Sequence, residues 1–232
     1  MKEISETGTI KTTVISNPEK NRVYEICRDF SNGEVFDGEE AILLTLYPTL
    51  NDVRNIDLST FHVLNHSAEL GLQRIHFLYL FNRVCSARMS TRGLEVDEEA
   101  ISYFERSVKK YKDSKIIIGY GNSMERCQAA INAKRRIIEI IDKERPEETI
   151  WQIGVNGTHG KENMHPLFLG IRYNHLSWTL ETFDIPDNLS PENSLFLPKS
   201  APKKNQLPKV LPKKTGAKKR NLREEDEACI SK

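Results

Sequence analysis

Apolar and polar positions alternate over residues 22–30, the pattern of a strand at the edge of a sheet. The turn pair Asp37-Gly38 then opens a continuous apolar run, 41–46, of the kind that fills a strand buried on both faces. Pro48 ends that run, and residues 49–57 are polar. From Asp57 the period changes. Leu58, Phe61, Leu64, His66, Ala68 and Leu70 approximate a helical stripe, and Gly71 fits the position just past a helix end. Residues 75–81 form a second buried strand that runs into Asn82-Arg83. Beyond Gly93, Asp97 is placed to cap a helix whose Ala100, Ile101, Phe104 and Val108 share one face. A third strand, 115–120, closes at Gly121-Asn122-Ser123. Ser123 is then expected to cap a long helix with Cys127, Ala130, Ile131, Lys134, Ile137, Ile138 and Ile141 at helical spacing. A fourth strand, 149–155, empties into the polar loop 156–161.

Strands alternating with helices imply βαβ units. The expected fold is α/β, a three-layer αβα sandwich around a mostly parallel four-stranded central sheet. Ligands of such sheets bind beyond the C-terminal ends of the strands. Four polar strand exits, 47–57, 82–88, 119–123 and 156–166, are therefore expected to converge on one site.

The second half of the pattern is different in kind. Six of the ten prolines lie from Pro186 onward, and lysine pairs recur at Lys203-Lys204, Lys213-Lys214 and Lys218-Lys219. This composition predicts a folded domain over residues 1–190 and a disordered tail over 191–232. Charge divides at nearly the same place. From Lys199 onward 11 Lys or Arg face 4 Asp or Glu, whereas the rest of the chain carries an acidic excess of six. The net charge of +1 conceals that split. Contact with nucleic acid by the body then needs a local patch, while the tail supplies non-specific attraction to phosphate or simply solubility.

Other features narrow the classes. No apolar run is long enough to span a membrane, and residues 1–13 lack an apolar stretch of signal-peptide length. Cys27, Cys85, Cys127 and Cys229 are scattered with no Cys-x-x-Cys spacing, so neither a structural zinc site nor a disulfide framework is expected. A reducing cytoplasm is the expected compartment. There is no phosphate-loop motif, no dinucleotide fingerprint after the first buried strand and no Gly-x-Ser-x-Gly elbow. His62 and His66 stand four apart on a predicted helix, a spacing that can hold a metal, but no third ligand lies nearby in the sequence. No metal and no cofactor are expected.

Four short segments in order carry a resemblance. They are Leu46-Tyr47-Pro48-Thr49-Leu50-Asn51-Asp52, Tyr79-Leu80-Phe81-Asn82, Ile118-Gly119-Tyr120-Gly121 and His165-Pro166-Leu167-Phe168-Leu169. Together, over about residues 22–170, they resemble a bacterial and phage domain family of unknown function with Asn-Pro-Ser-Thr-Ala-Asp, Asn-Leu-Phe, Trp-Gly and His-Pro-Leu motifs. The layout is also similar to the uracil-DNA glycosylase superfamily. That superfamily has an Asp-Pro or Asn-Pro loop after its first core strand, an Asn ending the second and a His-Pro loop after the fourth.

The resemblance implies a base-excising enzyme and a set of site residues. Asp52 matches the acid that ends the first motif and becomes the candidate catalytic carboxylate, with Asp57 behind it as either a second carboxylate or only a helix cap. His165 matches the histidine that would stabilise the leaving base. Tyr47 stands where the superfamily has its catalytic Asp or Asn, before Pro48, and Tyr79 takes the place of the expected Asn. Tyr47, Pro48, Asn51, Tyr79, Asn82 and Asn156 become candidates for lining the base pocket. Met164 and Leu167 are candidates for apolar wedges into the duplex. Lys161, Lys203, Lys204, Lys213 and Lys214 are candidates for contact with phosphate. The two tyrosine replacements argue against ordinary uracil and for a modified base, such as those of hypermodified phage DNA, with a role in defence or repair. The expected partner is duplex DNA, and the expected state a monomer. A catalytically inactive nucleic-acid binder on the same scaffold, or an enzyme acting on free modified nucleotides, are the alternatives.

Overall fold

The computed structural model describes residues 8–31, 38–156 and 165–190. The N-terminal β1 (Lys11–Ser16) and β2 (Val23–Asp29) precede the apolar strand β3 (Glu39–Thr45). They are followed by α1 (Leu58–Asn65), β4 (Leu72–Tyr79), α2 (Glu98–Lys110), β5 (Lys115–Ile118) and α3 (Gln128–Glu144). Strand β6 (Ile150–Val155), α4 (Pro166–Tyr173) and β7 (Trp178–Thr182) complete the described elements.

The fold is α/β, but its sheet has seven strands in the order β1-β2-β4-β3-β5-β6-β7 and is mixed. This corrects the expectation of a four-stranded, mostly parallel sheet. The four expected strands form its inner block, in which β4, β3, β5 and β6 pair in parallel. Antiparallel strands extend the block on both sides, β2 and β1 beyond β4, and β7 beyond β6. Strand β2 is therefore an interior strand. Its alternation misleads because the polar half does not face water: Glu25 is 2% exposed and Arg28 is 3% exposed.

Continuous apolar runs in the inner strands supply both faces of the sheet. Ile42 and Leu44 of β3, with Leu78, Ile116 and Ile118, pack against Phe104, Val108, Ala130, Ile137 and Ile141 of α2 and α3. Their neighbours Ala41 and Leu43, with Ile75, Phe77 and Ile117, join Val63 of α1 and Leu169 of α4 in a second cluster. A side-chain period of two thus feeds two cores, with helices on both faces. Asp57 caps α1 by accepting from the Thr60 amide, and Asp97 caps α2 by accepting from the Ala100 amide. Helix α3 starts four residues later than Ser123 would place it, at the N-cap Cys127, because residues 121–126 are spent on a turn in which Met124 has φ +62°. Helix α1 ends at Asn65, ahead of the turn that Gly71 closes at φ +68°.

On the α2 side of the sheet a polar network replaces apolar packing. Glu25 accepts from His76 Nδ1 (2.7 Å), Tyr103 Oη (2.6 Å) and Tyr111 Oη (2.9 Å). His76 Nε2 lies 2.9 Å from Glu40, which also pairs with Arg74, and the His76 ring stacks on Tyr111. Burial alone would push the His76 pKa down; hydrogen bonds to Cys27, Glu25 and Glu40 outweigh it and hold the pKa up at about 10. Burial would raise the Glu25 pKa, and its three donors hold it below the usual carboxylate range instead. Glu25, Cys27 and His76 bring an oxygen, a sulfur and a nitrogen within 4.8 Å of one another, as metal ligands would. The oxygens of Glu25 and both nitrogens of His76 have hydrogen-bond partners, one of them each other, so the cluster also ties β2 to β3, β4 and α2.

Candidate functional site

A cavity of about 610 Å³ opens at the C-terminal ends of the parallel strands. Thr45, Leu46 and Tyr47 at the end of β3, Tyr79 at the end of β4, residues 122–124 after β5, and His165 to Phe168 beyond β6 all line it. The strand-exit convergence expected from the sequence is present for these segments.

Two helix N-termini meet at this cavity, and each is capped by a titratable side chain that lines it. Asp57 opens α1; its carboxylate accepts from the Thr60 amide (3.0 Å) and the Thr60 hydroxyl (2.8 Å). His165 opens α4, with Pro166 in the first turn. His165 Nδ1 accepts from the Leu167 amide at 3.1 Å, which leaves Nε2 to carry the ring proton. Burial lowers the His165 pKa, against a weaker opposing pull from Asp57, so the imidazole is neutral near pH 7 and is a donor through Nε2. The positive ends of both helices add to a field that favours negative charge in the cavity.

The remaining lining mixes aromatic, hydroxyl and aliphatic side chains. Tyr79 is 5% exposed, and burial, with the Asp57 charge nearby, raises its pKa far enough to keep it a phenol. Tyr47 accepts from the Met89 amide at 3.4 Å, which ties the cavity wall to the loop after β4. The Thr49 hydroxyl also lines the cavity and is buried with no hydrogen-bond partner among the described residues. An apolar slot with a few polar groups is the usual build of a small-molecule or base pocket.

Other expected site residues lie elsewhere. Asp52 does not line this cavity: its carboxylate accepts from the Arg54 amide (2.8 Å) and Asn55 Nδ2 (2.7 Å), a local turn. Asn51 donates to the Lys20 carbonyl. Asn82 is 1% exposed; its backbone amide donates to Asp97, and it sits behind the wall rather than in it. Asn156 is exposed, with its amide donating to the Ser177 carbonyl at the β6–β7 pairing. Pro48 is buried and accepts from the Cys85 amide. Of His62 and His66, the second stacks flat on Trp178 and approaches Glu69 and Asn174. Leu167 lines the cavity. Lys161, Met164, Lys203, Lys204, Lys213 and Lys214 lie outside the described residues, as does the tail from 191.

Sequence reasoning ranks Asp57 below Asp52, yet among the described residues Asp57 is the carboxylate that lines the cavity. The signal is its double use, since a side chain that caps a helix at a strand exit also faces the site. Arg88, Ser59 and Met124 line the cavity without any motif to mark them.

Two residues behind the site are positioned closely enough to test. Gly121 has φ +61°, and a Cβ there would stand 2.8 Å from His165 Cβ and 2.9 Å from its backbone nitrogen. Backbone cannot yield as a side-chain tip can. Gly121→Ala is expected to destabilise by about 1–3 kcal/mol and to displace His165, visible as a lowered Tm and a shifted His165 ring resonance. Lys134, 4% exposed, donates to the carbonyls of Gly121 (3.3 Å) and Ser123 (3.0 Å) and lies over the Tyr120 ring. Burial lowers its pKa to about 8 from the usual 10.5. Between those two values the unfolded chain holds a proton that the folded chain has released, so stability rises with pH. Relative to Lys134→Met, the native chain is expected to gain roughly 3 kcal/mol from pH 8 to 10.5, read from paired denaturant titrations.

No protein-family model matches the chain, and no curated protein or solved structure is significantly similar to it. Among the described residues no helix is long and apolar enough to cross a membrane.

Proposed function

We propose that this chain is a DNA glycosylase-like hydrolase that excises a modified base in a three-layer α/β scaffold of the uracil-DNA glycosylase kind. The observation that carries this reading is the pairing of Asp57 and a neutral, Nε2-donating His165 across an aromatic cavity at the parallel strand ends. The inner strand order β4-β3-β5-β6 supports this reading, since its parallel strands end on the side where the cavity opens.

Excision breaks the C1′–N bond of a nucleotide extruded from the duplex. The bonding electrons leave with the base, water oxygen bonds to C1′, and the departing base takes up a proton. Positive charge builds on the sugar and negative charge on the base. Asp57 is suited to stabilise the first and to orient the water. The Nε2–H of His165 and the N-terminus of α4 are suited to stabilise the second. Tyr47 and Tyr79 offer rings and phenol donors where an amide edge would read uracil, which favours a modified pyrimidine.

The deciding experiment incubates the full chain with duplexes carrying uracil or bulky modified pyrimidines, and with glucosylated and hydroxymethylated phage DNA. Alkali cleavage at abasic sites is the readout. Strand breaks on one modified DNA are the expected result. Release of uracil alone would overturn the modified-base reading. Intact DNA throughout, with binding retained, would favour a non-catalytic binder on this scaffold.

A further inference from the structure

A second hollow, of about 760 Å³, adjoins the first and is formed by the loop between β4 and α2. Arg88 lines both. The loop reads Arg83-Val-Cys-Ser-Ala-Arg88-Met-Ser-Thr-Arg92-Gly, with three arginines, three hydroxyl side chains and no acid. Arg83, Arg88 and Arg92 are exposed and form no ion pair with a carboxylate among the described residues. The acids across the hollow are mostly engaged. Asp97 and Glu99 share the single Arg22, and Glu98 pairs with Arg136, which leaves Glu95 and one carboxylate charge uncompensated. Three loop arginines thus stand against Glu95 and the one carboxylate charge that Arg22 leaves over, so the loop keeps a small positive excess in an otherwise acidic body. It is held in place at its middle, where Met89 is buried and its amide reaches Tyr47 at the cavity wall.

We infer that this loop is the track for the phosphodiester backbone of DNA, with Arg88 at the point where a strand passes from the track into the cavity. The inference rests on the proposed base-excising function. Guanidinium groups suit phosphate because they donate two bonds in a fixed fork, and Ser86 and Ser90 stand among them as further donors. A polymer is favoured over a free nucleotide because the cations spread along the loop and only Arg88 reaches the cavity. The body then carries its own binding surface in addition to whatever the lysine-rich tail supplies.

The test measures fluorescence anisotropy of a labelled duplex with the full chain between about 50 and 200 mM salt. Each phosphate contact contributes about 0.9 to the slope of log affinity against log salt, so the Arg83→Ala/Arg88→Ala/Arg92→Ala variant is expected to flatten the slope by roughly 2–3. The corresponding triple lysine variant keeps the charge and is expected to keep most of the slope, which separates charge loss from misfolding. Lys109→Ala/Lys143→Ala removes two exposed cations on α2 and α3 that are already paired with Glu105, and should leave the slope unchanged. An unchanged slope in the triple alanine variant would overturn the inference. So would competition by inorganic triphosphate as effective as that of DNA of equal charge, since that would mark a nucleotide site. Base excision with an unchanged slope would sink the track and leave the glycosylase reading standing. A flattened slope with no excision on any DNA would do the reverse.

Discussion

Glu25→Ala is expected to cost about 3–5 kcal/mol of stability, more than any other single substitution considered for this fold. It removes the shared acceptor of His76, Tyr103 and Tyr111 and leaves a buried imidazolium and two half-buried hydroxyls without that partner. For a body of this size that corresponds to a fall in Tm of roughly 10 °C or more. Glu25→Gln should cost less, since an amide oxygen still accepts from the tyrosines. A loss below about 1 kcal/mol in Glu25→Ala would show that water enters and replaces the carboxylate.

The same cluster predicts a pH dependence in the opposite sense to that of Lys134. His76 is raised from 6.5 to about 10, so its contribution is complete below 6.5 and drains away as pH climbs toward 10. Glu25 is lowered from 4.5, so its share is complete above 4.5 and is lost as pH falls below that value. The network is strongest between those two ordinary values. In His76→Phe the decline of stability between pH 6.5 and 10 should shrink, leaving the rise between 8 and 10.5 that belongs to Lys134.

These groups also show why part of the fold is legible in the sequence and part is not. The inner strands β3, β4, β5 and β6 carry apolar runs, such as Ala41 to Leu44 and Ile116 to Ile118, because both their faces are covered, and that signal needs no context. Strand β2 alternates, and alternation reads as one wet face. Here Glu25 is buried in a network assembled from β3, β4 and α2, and Arg28, on the other face, donates to Thr12 and to the carbonyls of Val53 and Asn55, partners that no local window contains. Strand β1 buries none of its residues fully, and β7 buries only Trp178, so neither has the apolar run that marks a strand. Helix α4 is eight residues long and begins at a proline that reads first as a loop. At the site, position along the motifs finds His165, Tyr47 and Tyr79. It favours Asp52 over Asp57, because spacing in a motif says nothing of which carboxylate turns inward and which closes a turn with Arg54 and Asn55.

That difference between two aspartates is the sharpest test of the proposed chemistry. Asp57→Asn retains a good N-cap, and His165→Asn does so for α4, so both variants are expected to fold. On whichever DNA is excised, His165→Asn is expected to slow the chemical step about 10²–10³-fold, the usual cost of removing one donor aimed at developing charge. Asp57→Asn should slow it at least as much, through kcat rather than KM, because its charge is opposed only in the transition state. The double variant should fall well short of the product of the two losses if both act on one departing bond. Asp52→Asn should leave the rate nearly untouched, since its carboxylate is spent on its own loop. The pH profile carries separate information. Because burial depresses the His165 pKa, activity should persist below pH 6.5, where an ordinary histidine is half protonated. Protonation at Nδ1 would also remove the acceptor of the Leu167 amide, so the acid limb of the rate should coincide with a change in the α4 cap. Full activity in Asp57→Asn with loss in Asp52→Asn would return the catalytic role to Asp52 and require the loop 49–57 to turn over before the base is cut.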